Sequence, residues 1–525
     1  MLVTERAPAQ RLARSTIVVM AATLASTGLG FAREVIIARF FGASWDLDAF
    51  LAAVVVPTIL FGVFNGALLS ALVPIFAGYV STGRDADAAR LAFTLVVILS
   101  LVLAVAATVG WIFAPYYVPL IVHFPHDHLA VTVEMTRWLL PMIVVTSLSG
   151  VVAALLNAHA RFGASALQGL ALNAAVIAAV ELGFSRYGAG TLVVGTVAGY
   201  CAQLAIQVPA FLALVGVRPR IDLHHPGIKR VLETLVPVAV GSAAGQVALL
   251  FDRFFASGLS VGSISGMNYA TKIVGFPQQL FVAALATVIF PVFAGQFANR
   301  NRPAIRRIIA LSLQMVIFCT VPSALGLIML AGPIVRTLLE RGAFTPEVTV
   351  LCASLLPYVA AGLVALAANV VLTRCAFACG QARLTVAASV LTVAVNVALS
   401  ILWLPSLGAR GLLLANTVSQ TLQTVILGLI VWRVLGGFDA LSVGRSFLKI
   451  LGCSSIMVAA LLVVQSFEPP VTSGELPRIV SLGEHLAFAT AVFLGLARLF
   501  DSEEVHLAIT LFIRRQRPRE LVPLP

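Results

Sequence analysis

The sequence predicts an all-α integral membrane protein with about fourteen transmembrane helices. Of its 525 residues, 60% are apolar and only 11% are charged, and the mean hydropathy is +1.02. Soluble domains carry about 25% charged residues. A bilayer core about 30 Å thick needs roughly 20 apolar residues per helix, and windows of that length recur along the chain. A transmembrane barrel would instead show segments of about ten residues with alternating polarity.

Charged residues, proline or glycine bound each apolar window. The windows cover residues 16–41, 48–79, 90–113, 132–156, 163–183, 189–215, 229–256, 265–297, 305–330, 346–373, 384–404, 409–435, 446–467 and 479–500. The first window follows a basic start, but Arg33 interrupts it and no small-residue cleavage site precedes the next window. We therefore expect a retained helix and not a cleaved signal peptide.

The basic residues alternate between the loops in the way that the positive-inside rule requires. With a cytoplasmic N-terminus, the inner segments hold 24 of the 34 Lys and Arg residues and the outer loops hold six. This distribution predicts cytoplasmic N- and C-termini. It also accounts for the net charge of +12 through topology and contact with anionic membrane lipids, so we expect no nucleic-acid partner.

The two halves of the chain share an internal repeat. Residues 73–80 (VPIFAGYV) reappear as 290–297 (FPVFAGQF), and three weaker matches lie before and after them at nearly the same offset. Each copy holds six windows, so both should enter the membrane in the same direction around a pseudo-two-fold axis. We expect an N-terminal lobe at 1–222, a C-terminal lobe at 223–438, and an appended helix pair with a basic tail at 439–525. The substrate site should lie between the lobes.

Several ionisable residues interrupt the apolar windows, where a charge is costly and normally faces the bundle interior or water. They are Arg33, Glu34 and Arg39 in the first window, Asp252 and Arg253 in the seventh, and Lys272 in the eighth. Arg39 and Arg253 lie near window ends, so snorkelling to the interface is an alternative for them. Arg33 and Glu34 project about 100° apart on a helix, so we expect that they do not simply neutralise each other.

Arg33 and Lys272 come from opposite halves and suit an anionic, phosphate-bearing ligand, because Arg forks onto phosphate oxygens and Lys supplies a point charge. Structural ion pairing is the alternative. Other polar residues would line the cavity or form interhelical hydrogen bonds; they are Asn65, Asn157, Asn173, Gln246, Asn268, Asn369, Asn396 and Gln420. Asp252, with Asn396 and Thr417, predicts an oxygen-lined site for sodium or proton coupling, and a salt bridge of Asp252 is equally compatible.

The sequence contains no nucleophile and base arrangement and no phosphate-binding loop, so we expect a transporter without a cofactor and not an enzyme. Transport would then draw on an ion gradient or the membrane potential. Cys375 and Cys379 are four residues apart, but small core residues explain them better than a metal site. The outer-loop group of His123, His126, Asp127 and His128 is either an ordinary solvated loop or a weak metal site.

Several motifs carry a resemblance to a known family. They are GFARE at 30–34, ARFFGA at 38–43, DAF at 48–50, Pro57, GA at 66–67, VP at 73–74, GSIS at 262–265, NYA at 268–270 and FP at 276–277. Together they resemble the MurJ (MviN) lipid II flippases of the MOP exporter superfamily, over helices one to twelve.

The resemblance implies two six-helix bundles in the bacterial inner membrane that move an undecaprenyl-diphosphate-linked glycan between leaflets by alternating access. Cationic cavity residues of the family bind the diphosphate. Arg33 and Asp48 match such positions, and Lys272 stands where the family usually has arginine. Glu34, Asn65 and Arg253 complete the expected substrate-binding set. The final helix pair would form a groove for the polyprenyl tail, and enzymes of cell-wall or polysaccharide synthesis would be partners.

The chain departs from the family pattern at Ser26-Thr27, Phe61-Gly62, Asn65 and Thr271-Lys272, where the family commonly has charged residues. These departures keep an exopolysaccharide or O-antigen repeat unit open as the alternative substrate. A cation-coupled drug exporter of the same superfamily would favour an acidic cavity, which the buried cations oppose. A non-transporting scaffold for glycan synthesis has no reason to bury Arg33.

Overall fold

The computed structural model describes residues 6–216, 220–298, 301–467 and 474–500. Within these ranges, side chains are described except at 6–20, 61, 64–67, 69–70, 236–245, 280–295 and 297–298. The predicted all-α class is confirmed, because the described residues contain helices and connecting turns and no strand. Long apolar helices satisfy their own backbone hydrogen bonds, as a bilayer requires.

Contacts divide the chain into two compact units. The first comprises Met1–Ser265 with Arg341–Phe344, and the second comprises Gly266–Glu340 with Thr345–Pro525. The first unit holds α1 (Arg6–Phe41), α2 (Trp45–Ala53), α3 (Val55–Ser81), α4 (Asp85–Ile121), α5 (His126–Leu139), α6 (Met142–Ala158), α7 (Phe162–Ala166), α8 (Gln168–Tyr187), α9 (Gly190–Val215) and α10 (Pro226–Ser257). The lobe boundary predicted near residue 222 stays a prediction, and the contact boundary falls later because α10 packs against α3 and α4.

Helix α11 (Ser263–Ala298) begins at the boundary and continues into the second unit. The other helices of that unit are α12 (Arg302–Met329), α13 (Ala331–Leu339), α14 (Pro346–Ala361), α15 (Leu363–Ala378), α16 (Ala382–Leu407), α17 (Ala409–Leu435), α18 (Ala440–Phe467) and α19 (Glu475–Leu499). One apolar cluster joins α12, α15, α16 and α17. A separate cluster, in which Phe318 contacts Phe493, packs α18 and α19 onto α12. The predicted appended pair is thus anchored to α12.

Eleven helices or helix pairs in the described part of the chain are long and apolar enough to span a membrane. The three remaining predicted windows coincide with α3, α10 and α11, which are 27, 32 and 36 residues long. A helix of 27 residues is about 40 Å long at 1.5 Å per residue, which exceeds the hydrocarbon core. The count of fourteen spans stays a prediction.

Matching turns support the internal duplication. Gly188 and Gly408, which separate the last two helices of each copy, have φ, ψ values of 50°, −128° and 55°, −132°. Ala160 and Gly380, which follow α6 and α15, both have positive φ, and the next residue donates to a carbonyl five residues back in each case. These pairs share an offset of 220 residues. The same chain path therefore closes the same helix in both copies.

Candidate functional site

The Arg33 guanidinium lies within a small polar cluster on α1 and α8. Its Nη1 donates to Asn173 Oδ1 at 3.0 Å, and its Nη2 donates to Glu34 Oε1 at 2.6 Å. The Arg33 side chain is 22% exposed and the Glu34 side chain is 8% exposed. We call Arg33, Glu34 and Asn173 the guanidinium cluster. Its cation sits within an apolar helix, as the sequence predicted.

The expectation that Arg33 and Glu34 do not neutralise each other is wrong. Adjacent Cβ atoms do point about 100° apart on a helix, but both side chains are long and curl toward each other. A buried carboxylate in an apolar helix needs a partner, since an unpaired ion pays the full desolvation penalty. Burial of Glu34 therefore favours the pair over two separate ions.

Close packing of α1 on α8 brings Asn173 to Arg33. The Asn173 Nδ2 donates to the Ser26 carbonyl at 3.1 Å, so this amide contacts α1 twice. A Cβ atom at Gly30 would lie 3.2 Å from Asn173 Nδ2. Gly30 thus serves close helix approach, whereas a Cβ at Gly28 would meet no described atom within 4 Å.

The guanidinium cluster retains capacity for a further ligand. Arg has five N–H donors, and two contacts are made to the partners named above. The Arg33 Nε is buried and has no hydrogen-bond partner among the described residues. Buried donors are nearly always satisfied in native proteins. An anionic group with several acceptor oxygens matches the donors that remain.

Asp48 forms a second cluster where α11 begins. Its Oδ2 accepts from Gly262 N at 2.6 Å, and its Oδ1 accepts from Ser265 N at 2.7 Å and from the Ser265 hydroxyl at 2.5 Å. The first N–H groups of a helix have no intrahelical partners, and carboxylates stabilise them. Asp48 is 2% exposed. We call Asp48, Gly262 and Ser265 the Asp48 cap.

Arg253, one turn before the end of α10, lies near this cap. Electrostatic interactions join its guanidinium to Asp252 and to Asp48. Its Nε is buried and lacks a hydrogen-bond partner among the described residues. Arg253 therefore interacts electrostatically with the carboxylate of the Asp48 cap. A direct contact of either residue with the substrate stays a prediction.

The segment Arg341–Phe344 packs onto the end of α1. Ala343 N donates to the Arg39 carbonyl at 2.8 Å, and Phe344 is 1% exposed. Gly42 has φ +55°, and a Cβ there would clash with the Ala343 carbonyl. The Arg39 side chain itself is 58% exposed, with Glu181 3.9 Å away and its own neighbour Phe40 beneath the guanidinium. This exposure agrees with the snorkelling interpretation of Arg39.

Two further predicted substrate residues are Lys272 and Asn65. Lys272 is exposed and belongs to the second unit, whereas Arg33 belongs to the first. Their joint contact with one ligand stays a prediction. The side chain of Asn65 lies outside the described residues.

The predicted ion-coupling residues also come from different units. Asn396 is buried and its Oδ1 accepts from the Ser400 hydroxyl at 3.0 Å, and Thr417 donates to the Tyr358 carbonyl at 2.6 Å. Asp252 belongs to the first unit. A site shared by Asp252, Asn396 and Thr417 stays a prediction.

Other polar candidates have structural partners. Asn369 donates to Gln420 Oε1 at 2.9 Å. These two amides thus form an interhelical hydrogen bond, which was the alternative to lining the cavity. In the outer-loop group, the ring centroids of His128 and Trp45 lie 3.8 Å apart, and His123 packs edge-on against Phe254. Cys375 is buried in the α12 to α17 core. Within the ranges described, no three His, Cys, Asp or Glu residues are grouped to hold a metal ion.

Sequence reasoning did not connect Asn173 with Arg33, or Gly262 and Ser265 with Asp48. These partners are separated by 140, 214 and 217 residues. The glycine at position 30 was an available signal for close helix approach, but it did not identify the neighbouring helix.

Comparisons with known proteins agree on one family. A model of the family described as "Lipid II flippase MurJ" matches residues 37–481. The chain is 30% identical over 428 residues to the lipid II flippase MurJ of Burkholderia cenocepacia, covering 79% of this chain and 83% of the relative. It is 28% identical to a probable lipid II flippase MurJ of Rhizobium tropici, with 97% of both chains covered.

Solved structures show the same fold. A lipid II flippase MurJ in an inward closed conformation superposes with a TM-score of 0.78 at 22% identity, covering 92% of this chain and 98% of that one. An inward-facing multidrug resistance MATE family transporter of the MOP superfamily gives a TM-score of 0.65 at 12% identity, covering 80% and 98%. The shared architecture thus extends beyond the nearer relatives to transporters of a wider superfamily.

Proposed function

Because the chain belongs to the lipid II flippase MurJ family, we propose that it moves an undecaprenyl-diphosphate-linked saccharide of the lipid II type across the bacterial inner membrane. The protein is a multi-pass membrane transporter and not an enzyme. Alternating access between two repeated bundles would carry the hydrophilic headgroup past the hydrocarbon core, while the polyprenyl tail stays in lipid.

The guanidinium cluster is the observation that carries this proposal. A diphosphate presents several acceptor oxygens, and Arg33 retains N–H donors in a mostly buried setting. Charge-assisted bonds to such oxygens are roughly twice as strong as neutral ones. Lys272 would add a point charge from the second copy. A drug exporter for cationic compounds would gain nothing from these two cations.

The orientation of the protein in the membrane and the energy source for transport belong to the same proposal. Both termini would be cytoplasmic, in agreement with the distribution of Lys and Arg. Transport would be coupled to sodium or protons through Asp252, Asn396 and Thr417, or to the membrane potential acting on the charged substrate. Enzymes that synthesise cell-wall glycans would supply the substrate.

Growth rescue tests the proposal. The protein is expressed in a bacterium depleted of its own lipid II flippase, beside Arg33→Ala, Lys272→Ala and the control Arg39→Ala, with membrane levels of each protein measured. Arg39 lies on the same helix as Arg33 but is 58% exposed. We expect rescue by the wild type and by Arg39→Ala, and loss of rescue in the other two variants.

The outcomes separate the substrates. Failure of the wild type to rescue, with normal membrane insertion, would contradict lipid II transport. The departures at Phe61-Gly62 and Lys272 then favour an exopolysaccharide or O-antigen repeat unit, which the same assay in a strain lacking that flippase would test. Rescue that survives Arg33→Ala would contradict the assigned cation.

A further inference from the structure

The two partners of Arg33 differ in charge and in how firmly they are held. Glu34 is anionic, and its carboxylate touches Nη2 from the same helix. Asn173 is neutral, and its amide is fixed at its other end by the Ser26 carbonyl. An incoming anion therefore repels Glu34 but does not repel Asn173, although both hold the same guanidinium.

An anion that binds Arg33 comes close to the Glu34 carboxylate, which contacts Nη2 at 2.6 Å. Like charges about 4 Å apart repel strongly outside bulk water, so a diphosphate and Glu34 cannot both keep close contact with the guanidinium at low cost. Because the Arg33 side chain can rotate, the Arg33–Glu34 pair can open. Nη2 can then donate a hydrogen bond to the ligand. Opening the pair also frees a carboxylate that closes it again when the ligand leaves.

Asn173 behaves differently during this exchange. Its Oδ1 accepts from Nη1 and its Nδ2 donates to α1, and neither hydrogen bond involves Glu34, so opening the ion pair need not break them. Its amide also packs closely against Gly30, since a Cβ at that position would lie 3.2 Å from Nδ2. The Arg33 side chain thus has a fixed contact on one nitrogen and an exchangeable contact on another.

Resting on the function proposed above, we infer that Glu34 is a built-in competitor for the diphosphate at Arg33, and that Asn173 is the positioning residue that holds the guanidinium while the pair opens. Glu34 therefore does not bind the substrate. It limits the affinity of the site and speeds release of the anion, which a transporter needs at the end of each cycle.

Binding and transport by the purified full-length protein test the inference. Farnesyl diphosphate serves as the binding probe in nanodiscs, and lipid II as the translocation substrate in proteoliposomes. The variants are Glu34→Gln, Asn173→Ala and the isosteric Asn173→Asp, with Glu181→Gln as the control. Glu181 is an exposed carboxylate on α8 beside Arg39.

We expect Glu34→Gln to lower the Kd for farnesyl diphosphate by roughly fivefold, and to lower both KM and kcat for lipid II. Asn173→Ala should raise the Kd by a similar factor. Asn173→Asp should also raise the Kd. The new carboxylate would compete with the diphosphate, and the hydrogen bond from position 173 to the Ser26 carbonyl would be lost. The control should match the wild type.

The opposite directions distinguish this scheme from simple structural damage, which would weaken binding in every variant. Weaker or unchanged binding by Glu34→Gln, with normal wild-type binding, would overturn the inference and leave the proposed function intact. If the wild type bound no farnesyl diphosphate and moved no lipid II, the proposed function would fall together with the inference.

Discussion

Replacement of Asp48 by Asn is expected to open the start of α11. The carboxylate accepts three hydrogen bonds through two oxygens, two from Ser265 and one from Gly262. An Asn at this position keeps one acceptor oxygen and turns an NH₂ donor toward the Gly262 N–H if the oxygen faces Ser265. One charged hydrogen bond is then lost and two become neutral.

The magnitude follows from these three bonds. A hydrogen bond to a charged group contributes about 1.5–3 kcal/mol and a neutral one about 1 kcal/mol. At the lower end of these ranges, losing one and weakening two gives about 2.5–3 kcal/mol for local opening of this turn. Since 1.4 kcal/mol is a factor of ten, amide exchange there should accelerate by about a hundredfold.

Hydrogen exchange with mass spectrometry measures this on peptides that cover residues 258–268. Asp46→Asn is the matched control, because Asp46 lies on the same turn of α2 and is exposed. Ser265→Ala removes only the hydroxyl bond, so its exchange should lie between the two. Equal exchange in Asp48→Asn and Asp46→Asn would refute the capping argument.

Three other perturbations have defined outcomes. Ala160→Gly should raise the free energy of unfolding by about 1 kcal/mol in a thermal unfolding assay, because Ala160 has φ +56°; no gain would contradict backbone strain there. Gly42→Ala should reduce folded yield by size-exclusion chromatography, because its Cβ would clash with the Ala343 carbonyl; a normal yield would contradict that packing. Burial lowers the pKa of His225, whose Nδ1 accepts from Gly227 N, so thermal stability should fall as the pH drops below about 6.5. His225→Asn should remove that slope, and an unchanged slope would assign it to other groups.

The sequence predicted the class of the protein well because bilayer thickness and backbone hydrogen bonding leave few solutions. Apolar windows of about 20 residues can only be helices in hydrocarbon. The predicted windows correspond to helices of the structure, although four of them contain a break. These breaks fall at Val54, Leu140-Pro141, Leu167 and Gly362, where local turn geometry interrupts a continuous apolar pattern.

The predicted site was less complete, since it was built from charges taken one at a time. Burial of Arg33 and of Glu34 could be anticipated from their apolar surroundings, but the bond between them could not be inferred from the angle between adjacent helix positions. Asp48 was expected at the substrate, and the structure places it as the cap of a helix that starts more than 200 residues later. Helical periodicity carries no information about which distant N–H groups a carboxylate will meet.

By itself, the sequence determined that this chain is a helical membrane protein, that its halves share a repeat, and that cations interrupt its first and eighth apolar windows. Hydrophobicity and helical geometry act locally, so they can be read along the chain. Only the tertiary structure decided that Glu34 and Asn173 share Arg33 and that Asp48 caps α11. Those contacts depend on how closely α1 approaches α8 and on where separate helices begin, which packing between distant segments fixes.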